Sequence, residues 1–405
     1  MYDAIIVGAR CAGSPMAMLL ARQGCRVLLV DKATFPSDTI STHILWPHGA
    51  ALMDRWGLLG ELAATGCPPV ARQLTFDVGP FALKGGVVDS NGGRGGFCPR
   101  RTILDKLLVD AAVRAGAELR EGFIVDALLW DDEQVVGIKG HSRTGLAVEE
   151  RARIVIGADG IHSLVAKAVK AREYDARPAL TTNYYTYYSG FDADDIEMYV
   201  RDFHAIGCFP THDGRTLIAV LWPCGRFQEI RADIEGHFRK ALELAPTVAR
   251  RVESARREEK WSGIAGLPNY FRQPFGPGWA LVGDAGYHKD PITAQGISDA
   301  FIDADAVATA LTDSWSGGRD PAEAFAAVQS MRDARVKPMY EFTLELATLE
   351  PAPPFMQRLF AALRGNQAAT NQFFSAITGS LPLPEFMSPE NLDSIMANAE
   401  VEGRN

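Results

Sequence analysis

The opening stretch, residues 2–32, constrains the fold more than any other part of the chain. Ala4-Ile5-Ile6-Val7 is an apolar, mostly β-branched run, which is typical of a buried parallel strand. A short glycine-bounded turn, Gly8-Ala9-Arg10-Cys11-Ala12-Gly13, follows it, and residues 14–23 then show the apolar spacing of a helix. Residues 26–30 form a second apolar run. Together they predict a strand–helix–strand unit at the start of a parallel sheet.

This unit has the chemistry of a dinucleotide-binding site. Gly8 permits a sharp turn, Gly13 lets the helix pack closely on the strand, and the helix N-terminus offers free N–H groups to a pyrophosphate. Asp31, 23 residues after Gly8, is placed to accept hydrogen bonds from an adenosine ribose. Arg10 replaces the middle glycine of the GxGxxG pattern, and we expect its guanidinium to turn towards phosphate or adenine.

Composition excludes several classes of protein. The chain has 405 residues, enough for two joined domains, and its net charge of −9 argues against a nucleic-acid surface. It has no apolar run of about 18 residues and no basic-apolar start, which predicts no membrane span, no signal peptide and a cytoplasmic location. Six scattered cysteines without a CxxC pair indicate a reducing compartment, and we expect no metal site.

The pattern of apolar and aromatic residues changes in the middle of the chain and later returns to that of the first strand. Residues 181–265 contain an aromatic run at 184–188 and strand patterns near 205–209 and 216–222, which predicts an inserted antiparallel sheet. The apolar run at 279–282 resembles the first strand again. We therefore predict an α/β fold with three parts. They are a discontinuous Rossmann-like nucleotide-binding domain (1–72, 98–180 and 266–345), a substrate domain (73–97 and 181–265, with a glycine-rich loop at 91–96) and a helical C-terminal segment (346–405).

Three separated signatures occur in order along the chain. They are Gly8–Gly13 with Asp31, then Gly157-Ala158-Asp159-Gly160, then Gly283-Asp284-Ala285 followed by Pro291, Gln295 and Gly296. Over about residues 1–345 this set resembles the FAD-dependent aromatic hydroxylases, which are single-component flavoprotein monooxygenases of the para-hydroxybenzoate hydroxylase fold. The resemblance implies that the nucleotide-binding domain holds FAD and that NAD(P)H is the second cofactor.

The resemblance also implies which residues hold FAD. Those expected at the ADP half are Gly8, Arg10, Cys11, Ala12, Gly13, Asp31 and Lys32. Arg101 resembles the family arginine that contacts the cofactor, Val125 the residue whose backbone meets adenine, and Asp159 belongs to the motif linked to FAD and NAD(P)H binding. Asp284 is expected at the ribityl chain. Beside the isoalloxazine ring we expect Pro291, Gln295, Gly296 and Ile297, at a helix N-terminus that suits the negative charge of reduced flavin.

The reaction implied is oxygenation, by NAD(P)H and O2 through a flavin hydroperoxide, of a small electron-rich organic substrate, with an aromatic compound the expected kind. Residues 290–294, Asp-Pro-Ile-Thr-Ala, also resemble the geranylgeranyl reductases and flavin halogenases, so an isoprenoid ene-reductase and a halogenase stay open as alternatives. Halogenases carry Trp-x-Trp-x-Ile-Pro where residues 206–210 here lack tryptophan, and Lys84 is the candidate halogenating lysine. A flavoprotein without turnover is a third class, and no sequence feature indicates an obligatory protein partner.

Candidate substrate and catalytic residues lie in the loop 33–48, in the aromatic run and after Asp284. Strand alternation places Tyr184, Thr186 and Tyr188 on one face and Tyr185 and Tyr187 on the other, and the pattern leaves open which face lines a pocket. We expect substrate contacts from Trp46, Tyr184, Tyr188 and Phe209. The acid–base candidates near the flavin ring are His43, Tyr287 and His288.

Overall fold

The computed structural model describes residues 1–87, 95–142 and 145–402, with side chains through Ala397. Most of the glycine-rich loop expected at 91–96 lies outside these residues. The strands, numbered in chain order, are β1 (Tyr2–Val7), β2 (Val27–Asp31), β3 (Pro69–Val70), β4 (Leu74–Asp77), β5 (Ala82–Gly85), β6 (Gly96–Phe97), β7 (Glu118–Glu121), β8 (Phe123–Asp131), β9 (Gln134–Ser142), β10 (Ala147–Gly157), β11 (Glu173–Arg177), β12 (Thr181–Ser189), β13 (Glu197–Arg201), β14 (His204–Pro210), β15 (Arg215–Pro223), β16 (Arg256–Arg257), β17 (Ser262–Ala265), β18 (Asn269–Arg272), β19 (Phe275–Gly276), β20 (Trp279–Leu281) and β21 (Tyr287–His288). The helices are α1 (Gly13–Arg22), α2 (Pro47–Arg55), α3 (Leu59–Ala64), α4 (Arg101–Arg114), α5 (Leu164–Ala168), α6 (Phe227–Ala232), α7 (Ile234–Glu243), α8 (Pro246–Ser254), α9 (Gly296–Trp315), α10 (Pro321–Ala347), α11 (Pro354–Leu363), α12 (Gln367–Ile377), α13 (Leu383–Phe386) and α14 (Pro389–Glu402).

The first sheet has a parallel centre. Its strand order is β19-β20-β10-β1-β2-β7, and β1 pairs in parallel with both β10 and β2. Val7 lies beside Val30 on one side and Gly157 on the other. Because parallel strands end at the same edge of a sheet, the turns after β1, β2, β10 and β20 meet there. The predicted α/β class is confirmed.

The alternation of side chains in β1 explains why this strand is apolar throughout. Ala4 and Ile6 belong to a buried cluster that includes residues of α1, α4 and α9. Ile5 and Val7 belong to a second cluster, formed with the hairpin of β8 and β9. With both faces covered, the strand and the turn that follows it are anchored on two sides.

The second large sheet draws its strands from two separate parts of the chain. β4 and β5 join β12–β17 through the parallel pairing of β4 with β13. One face of this sheet packs against α6, α7 and α8, and the other packs against α11–α14 and the residues around Trp46. A smaller sheet, in the order β11-β18-β21, connects this region to the segment that precedes α9.

Among the described residues, neither a membrane-spanning helix nor a metal-holding cluster is present. None of the helices there combines the length and apolarity needed to cross a membrane. Likewise, across 1–87, 95–142 and 145–402, no group of three or more His, Cys, Asp or Glu side chains is arranged to hold a metal ion.

Candidate functional site

A cavity of about 790 Å³ runs along the edge where the parallel strands end. Its wall comes from the turn after β1, the ends of β2 and β10, the start of β8, and the segment from Gly283 to the beginning of α9. On the side of the second sheet the wall includes Asn183, Ile264 and Leu267. The cofactor-binding predictions that line this cavity are Gly8, Arg10, Cys11, Ala12, Asp31, Lys32, Arg101, Val125, Asp159, Asp284, Pro291, Gln295, Gly296 and Ile297. Gly13 lies directly behind them, at the first position of α1.

The turn after β1 requires glycine at both ends. Gly8 has φ +103°, a conformation that L side chains rarely adopt, and a Cβ there would overlap the carbonyl group of Ala158. A Cβ at Gly13 would overlap the carbonyl oxygen of Gly8. The buried Asp31 closes the turn by accepting the N–H groups of Ala9 and Ala33, each at 2.7 Å. These contacts bring the N-terminus of α1 to the cavity, where it suits a phosphate.

Arg10 is held by protein side chains, in contrast to the expected turn towards phosphate or adenine. Its Nη1 pairs with Asp105 Oδ2 at 2.5 Å, and its Nη2 donates to Ser37 Oγ at 2.9 Å. Its guanidinium also lies 5.4 Å from the ring centroid of Phe35. Asp105 lies ninety-five residues further along the chain, and its carboxylate pairs directly with the guanidinium. Arg10 still lines the cavity, but as a brace between the turn, α4 and the loop after β2.

Asp105 is a site residue that the sequence analysis missed. It is fully buried and accepts hydrogen bonds from Arg101, Nε at 3.0 Å and Nη2 at 3.1 Å, besides the ion pair with Arg10. The Cys11 thiol donates to it at 3.4 Å, and burial raises the pKa of that thiol, which keeps it protonated. Two arginines around one carboxylate leave positive charge at the phosphate end of the cavity. The i, i+4 spacing of Arg101 and Asp105 was the available signal.

Asp159 offers the cavity an unsatisfied oxygen. Its Oδ2 accepts the N–H groups of Leu164 at 2.7 Å and Val165 at 3.3 Å, at the start of α5. Its Oδ1 is buried, and within the described part of the chain it has no hydrogen-bond partner. Burial raises the pKa of this carboxyl group. A buried acceptor that the protein leaves unpaired is a position for a ligand hydroxyl or N–H group.

The start of α9 forms the other end of a cofactor cradle. Gly296 is the first residue of the helix, and a Cβ there would meet nothing within 4 Å, so the helix N-terminus opens onto the cavity. Asp290 caps the preceding turn by accepting the N–H of Ile292 at 3.1 Å. The Gln295 side chain instead donates to the carbonyl oxygen of Ile377 at 3.0 Å, which fixes the end of α12. Asp284 also lines the cavity, and the N-termini of α1 and α9 both face it, which suits the negative charge of the FAD pyrophosphate and of the reduced ring.

A buried ion-pair network underlies this end of the cavity, and the sequence analysis did not predict it. Lys289 Nζ contacts the Asp299 carboxylate and donates to Tyr287 Oη at 2.8 Å, while Arg335 of α10 donates to Asp299 at 2.9 Å. Burial raises the pKa of Asp299, but the two cations outweigh it and lower that pKa to about 2. Burial lowers the pKa of Lys289 and raises the pKa of the neighbouring Asp303 to about 6. No local pattern links residue 289 to residue 335.

His43 is buried behind the cavity wall. It has φ +63°, its Nε2 shares a hydrogen bond with Tyr187 Oη, and its Nδ1 is without a partner among the residues described. Burial lowers its pKa well below the usual value, so the imidazole is neutral at pH 7. Its neighbours Ser41 and Thr42 line the cavity, whereas His43 does not. The structure therefore places His43 where it positions this loop, which revises its assignment as an acid–base group.

Tyr287 and His288 both line the cavity, but they differ in what they offer a ligand. The Tyr287 hydroxyl is engaged by Lys289, and burial raises its pKa well above the usual value. His288 Nδ1 lies 2.5 Å from the carbonyl oxygen of Pro268. A carbonyl oxygen only accepts, so Nδ1 carries the proton and Nε2 is left as an acceptor in the neutral ring. Of the three acid–base candidates, His288 alone combines a place on the wall with a free lone pair in the described structure.

The structure does not bring the four predicted substrate residues to the cavity. Tyr184 and Tyr188 lie on the face of the second sheet that packs against α6, α7 and α8, so their assignment is corrected. Trp46 and Phe209 lie on the opposite face, buried under the C-terminal helices, and Trp46 Nε1 donates to the carbonyl oxygen of Thr293 at 3.1 Å. Both serve packing. The residue of β12 that does line the cavity is Asn183, which directly precedes the aromatic run. It is polar and was not among the predicted substrate contacts.

Comparison with known proteins agrees with this geometry. Residues 1–343 match the model of the FAD binding domain family. The digeranylgeranylglycerophospholipid reductase 2 of Methanopyrus kandleri is 28% identical over 315 residues, which cover 74% of each chain. Two solved structures share the fold. The myxobacterial chondrochloren halogenase CndH has a TM-score of 0.79 at 20% identity, covering 99% of this chain and 97% of its own. PqsL of Pseudomonas aeruginosa, described as a probable FAD-dependent monooxygenase, has a TM-score of 0.70 at 22% identity, covering 94% and 100%. The chain belongs to the FAD binding domain family and is an FAD-dependent oxidoreductase.

Proposed function

We propose that this chain is a monooxygenase that uses NAD(P)H and O2 to oxygenate a small electron-rich organic substrate, with an aromatic compound the expected kind. The observation that carries the proposal is one cavity that is lined both by the residues expected to hold FAD and by residues of the second sheet. A flavin ring and a compact substrate would then share one compartment.

The residues at the two ends of the cavity would have different roles. Gly8, Gly13 and Asp31 would hold the ADP half. Asp105, which pairs with two arginines, would lie behind the phosphates. The N-terminus of α9 would orient the ring and favour negative charge on it. Bound FAD supplies the electron transfer from NAD(P)H and the activation of O2.

An isoprenoid reductase is the rival that the curated relatives favour. The name of the Methanopyrus kandleri protein indicates a lipid with two geranylgeranyl chains. In this chain, the cavity of about 790 Å³ has to accommodate both the cofactor and the substrate. That volume favours a compact substrate over a lipid with long chains.

A halogenase is less well supported by the residues present. The segment 206–210 carries no tryptophan, and a Cβ at Gly207 would overlap the ring of Phe209, so there is no room for a larger residue without repacking. Lys84 is exposed on β5 and lies outside the cavity wall. It therefore has the environment of a surface lysine.

The proposal is tested by the balance of electrons and oxygen. FAD-loaded protein is mixed with NADH or NADPH and a panel of phenols, aromatic amines and isoprenoid alkenes, with O2 uptake and product measured together. We expect NAD(P)H oxidation, O2 uptake and product to be equimolar for an aromatic member of the panel. Alkene reduction without O2 uptake would instead identify a reductase. Halide-dependent product would identify a halogenase, and flavin that neither cofactor bleaches would exclude turnover by this chain alone.

A further inference from the structure

We infer that His288 and Asn183 form a polar subsite that binds an O–H or N–H group of a neutral substrate and so selects and orients it. The subsite lies where the wall changes from the segment before α9 to the second sheet. The aromatic nature of the substrate rests on the proposed function, whereas the polarity of the subsite rests on the contacts below.

His288 supplies an acceptor with a fixed direction. Its Nδ1–H is committed to the carbonyl oxygen of Pro268 at 2.5 Å, and the ring is only 8% exposed. The strand pairing of Tyr270 with His288 holds its backbone. A ring fixed at one nitrogen presents the other nitrogen in one orientation, which is the arrangement by which proteins aim a histidine at a ligand.

Asn183 supplies the second polar group. It is 6% exposed, it lines the cavity, and its Oδ1 has no hydrogen-bond partner in the described parts of the chain. Rotation of the terminal amide exchanges its oxygen and nitrogen, so this group can accept from an N–H or donate to a hydroxyl oxygen. Leaving a buried amide oxygen unpaired is destabilising, and a bound polar group would offset that cost.

A hydrogen bond from another pair of residues joins the two halves of the subsite. Thr181 Oγ1 donates to Asp290 Oδ2 at 2.8 Å, and both groups are buried. Asn183 follows Thr181 by two residues on the same face of β12, and His288 precedes Asp290 by two residues. Asn183 and His288 both line the cavity, each two residues from this contact, and Ile264, paired with Asn183, adds an apolar wall.

The charges nearby disfavour a carboxylate at this place. Asp290 is adjacent and buried, and the neighbouring cation Lys289 is already engaged by Asp299 and Tyr287. Arg10 and Arg101 lie at the other end of the cavity, around Asp105. An anionic group at the subsite would face acceptors and a second anion, whereas a phenolic hydroxyl or aromatic amine would donate to His288 Nε2.

The test is a binding series on FAD-loaded protein without NAD(P)H. The probes are para-ethylphenol, para-ethylanisole, which lacks the donor, and para-ethylbenzoate, and binding is followed by perturbation of the flavin spectrum. The wild type should bind the phenol at least about tenfold more tightly than either other probe. His288→Asn keeps a donor for Pro268 but removes the acceptor, and Asn183→Leu removes the amide. Each of these two variants should lose most of that preference. His288→Gln should restore part of it.

Tyr188→Phe is the matched control, because it changes the same strand on its opposite face and should keep the preference. Equal affinities for phenol and anisole, tighter binding of the benzoate, no binding of the phenol, or an unchanged preference in both variants would overturn the subsite. Because no probe is turned over in this series, the subsite can fail while oxygenation stands. The converse result, selectivity without oxygen transfer, would leave the subsite intact and defeat the proposed function.

Discussion

The two ends of the cavity are built by different means. The nucleotide end depends on a short contiguous turn, Gly8–Gly13, whose glycines are required by close backbone contacts. The far end is assembled from β12, β21 and the start of α9. Strand pairing with β18 holds β21, and a buried hydrogen bond from Thr181 to Asp290 connects β12 to the segment before α9. A short turn in the sequence therefore specifies cofactor binding, whereas contacts between distant parts of the chain specify which side chains surround the cofactor.

The largest effect should come from the turn. Gly13→Ala would place a Cβ against the carbonyl oxygen of Gly8, so the start of α1 must move away from the phosphate site. We expect FAD affinity to fall by about a hundredfold or more, measured by flavin retention and titration of the apoprotein. Gly60→Ala, where an added Cβ meets nothing within 4 Å, is the control and should retain FAD. Full retention of FAD by Gly13→Ala would show that the turn does not require glycine at this position.

The far end should respond to loss of its buried cation. Lys289→Met removes one partner of Asp299 and leaves that carboxylate with Arg335 alone. We expect the free energy of unfolding to fall by about 3 kcal/mol, measured by urea denaturation at a fixed excess of FAD. The same substitution at Lys106, whose pair with Asp110 is about two-fifths exposed on both sides, should cost less than about 1 kcal/mol. Equal costs at the two sites would mean that burial of the network does not matter.

Acid should weaken the far end through His48, a residue of α2 whose ring lies beside Gly379, next to the Gln295 side chain. Burial lowers the pKa of His48 from 6.5 to about 4, so the folded protein keeps this ring neutral while the unfolded chain takes up a proton. Stability from this group is therefore complete above pH 6.5 and is lost as the pH falls towards 4, by about 3 kcal/mol in total. His48→Gln should flatten the urea-unfolding free energy across that interval. His141→Gln, at a partly exposed histidine, should keep the wild-type slope, and the same slope in His48→Gln would contradict this explanation.

Two neighbouring tyrosines sharpen the difference between the faces of β12. Tyr187→Phe removes the hydroxyl that bonds His43 and leaves a buried ring nitrogen unpaired, which should cost about 1–2 kcal/mol. Tyr188→Phe, on the face towards α6–α8, should cost less than about 0.5 kcal/mol. Thermal unfolding of the two variants, measured side by side, decides whether the loop at residues 41–43 depends on this strand. A larger loss in Tyr188→Phe would reverse the assignment of faces.

The smallest effect is expected at Lys84. This exposed side chain lies on β5, outside the cavity wall, so Lys84→Ala should change turnover by less than about twofold. Steady-state NAD(P)H oxidation with and without halide measures it. A loss of turnover confined to reactions with halide would revive the halogenase alternative.

The sequence predicted the nucleotide end closely because its information is local. Gly8 and Asp31 could be assigned from turn chemistry and spacing and Asp159 from the family resemblance, and all three line the cavity. The exception is Arg10, whose partner Asp105 lies in a different helix, so the turn alone could not reveal where the guanidinium goes.

The far end could not be predicted in the same way. Residues 181–188 of β12 are all buried, so no polar face indicates which tyrosines point towards the cavity. Alternation alone leaves that choice open, and the two predicted substrate contacts, Tyr184 and Tyr188, lie on the face covered by helices. The pairing of Lys289 with Asp299 and Arg335 depends on the packing of α10 against α9, for which the sequence offers no short-range signal.

The most direct test of oxygenation is the fate of isotopically labelled O2. FAD-loaded protein is supplied with NAD(P)H, labelled O2 and the substrate that gives the highest coupled uptake, and the product is analysed by mass spectrometry. The account predicts one labelled oxygen atom in each product molecule, and none when the label is in water. A product that is reduced or halogenated and carries no label would contradict the assignment of this chain as a monooxygenase.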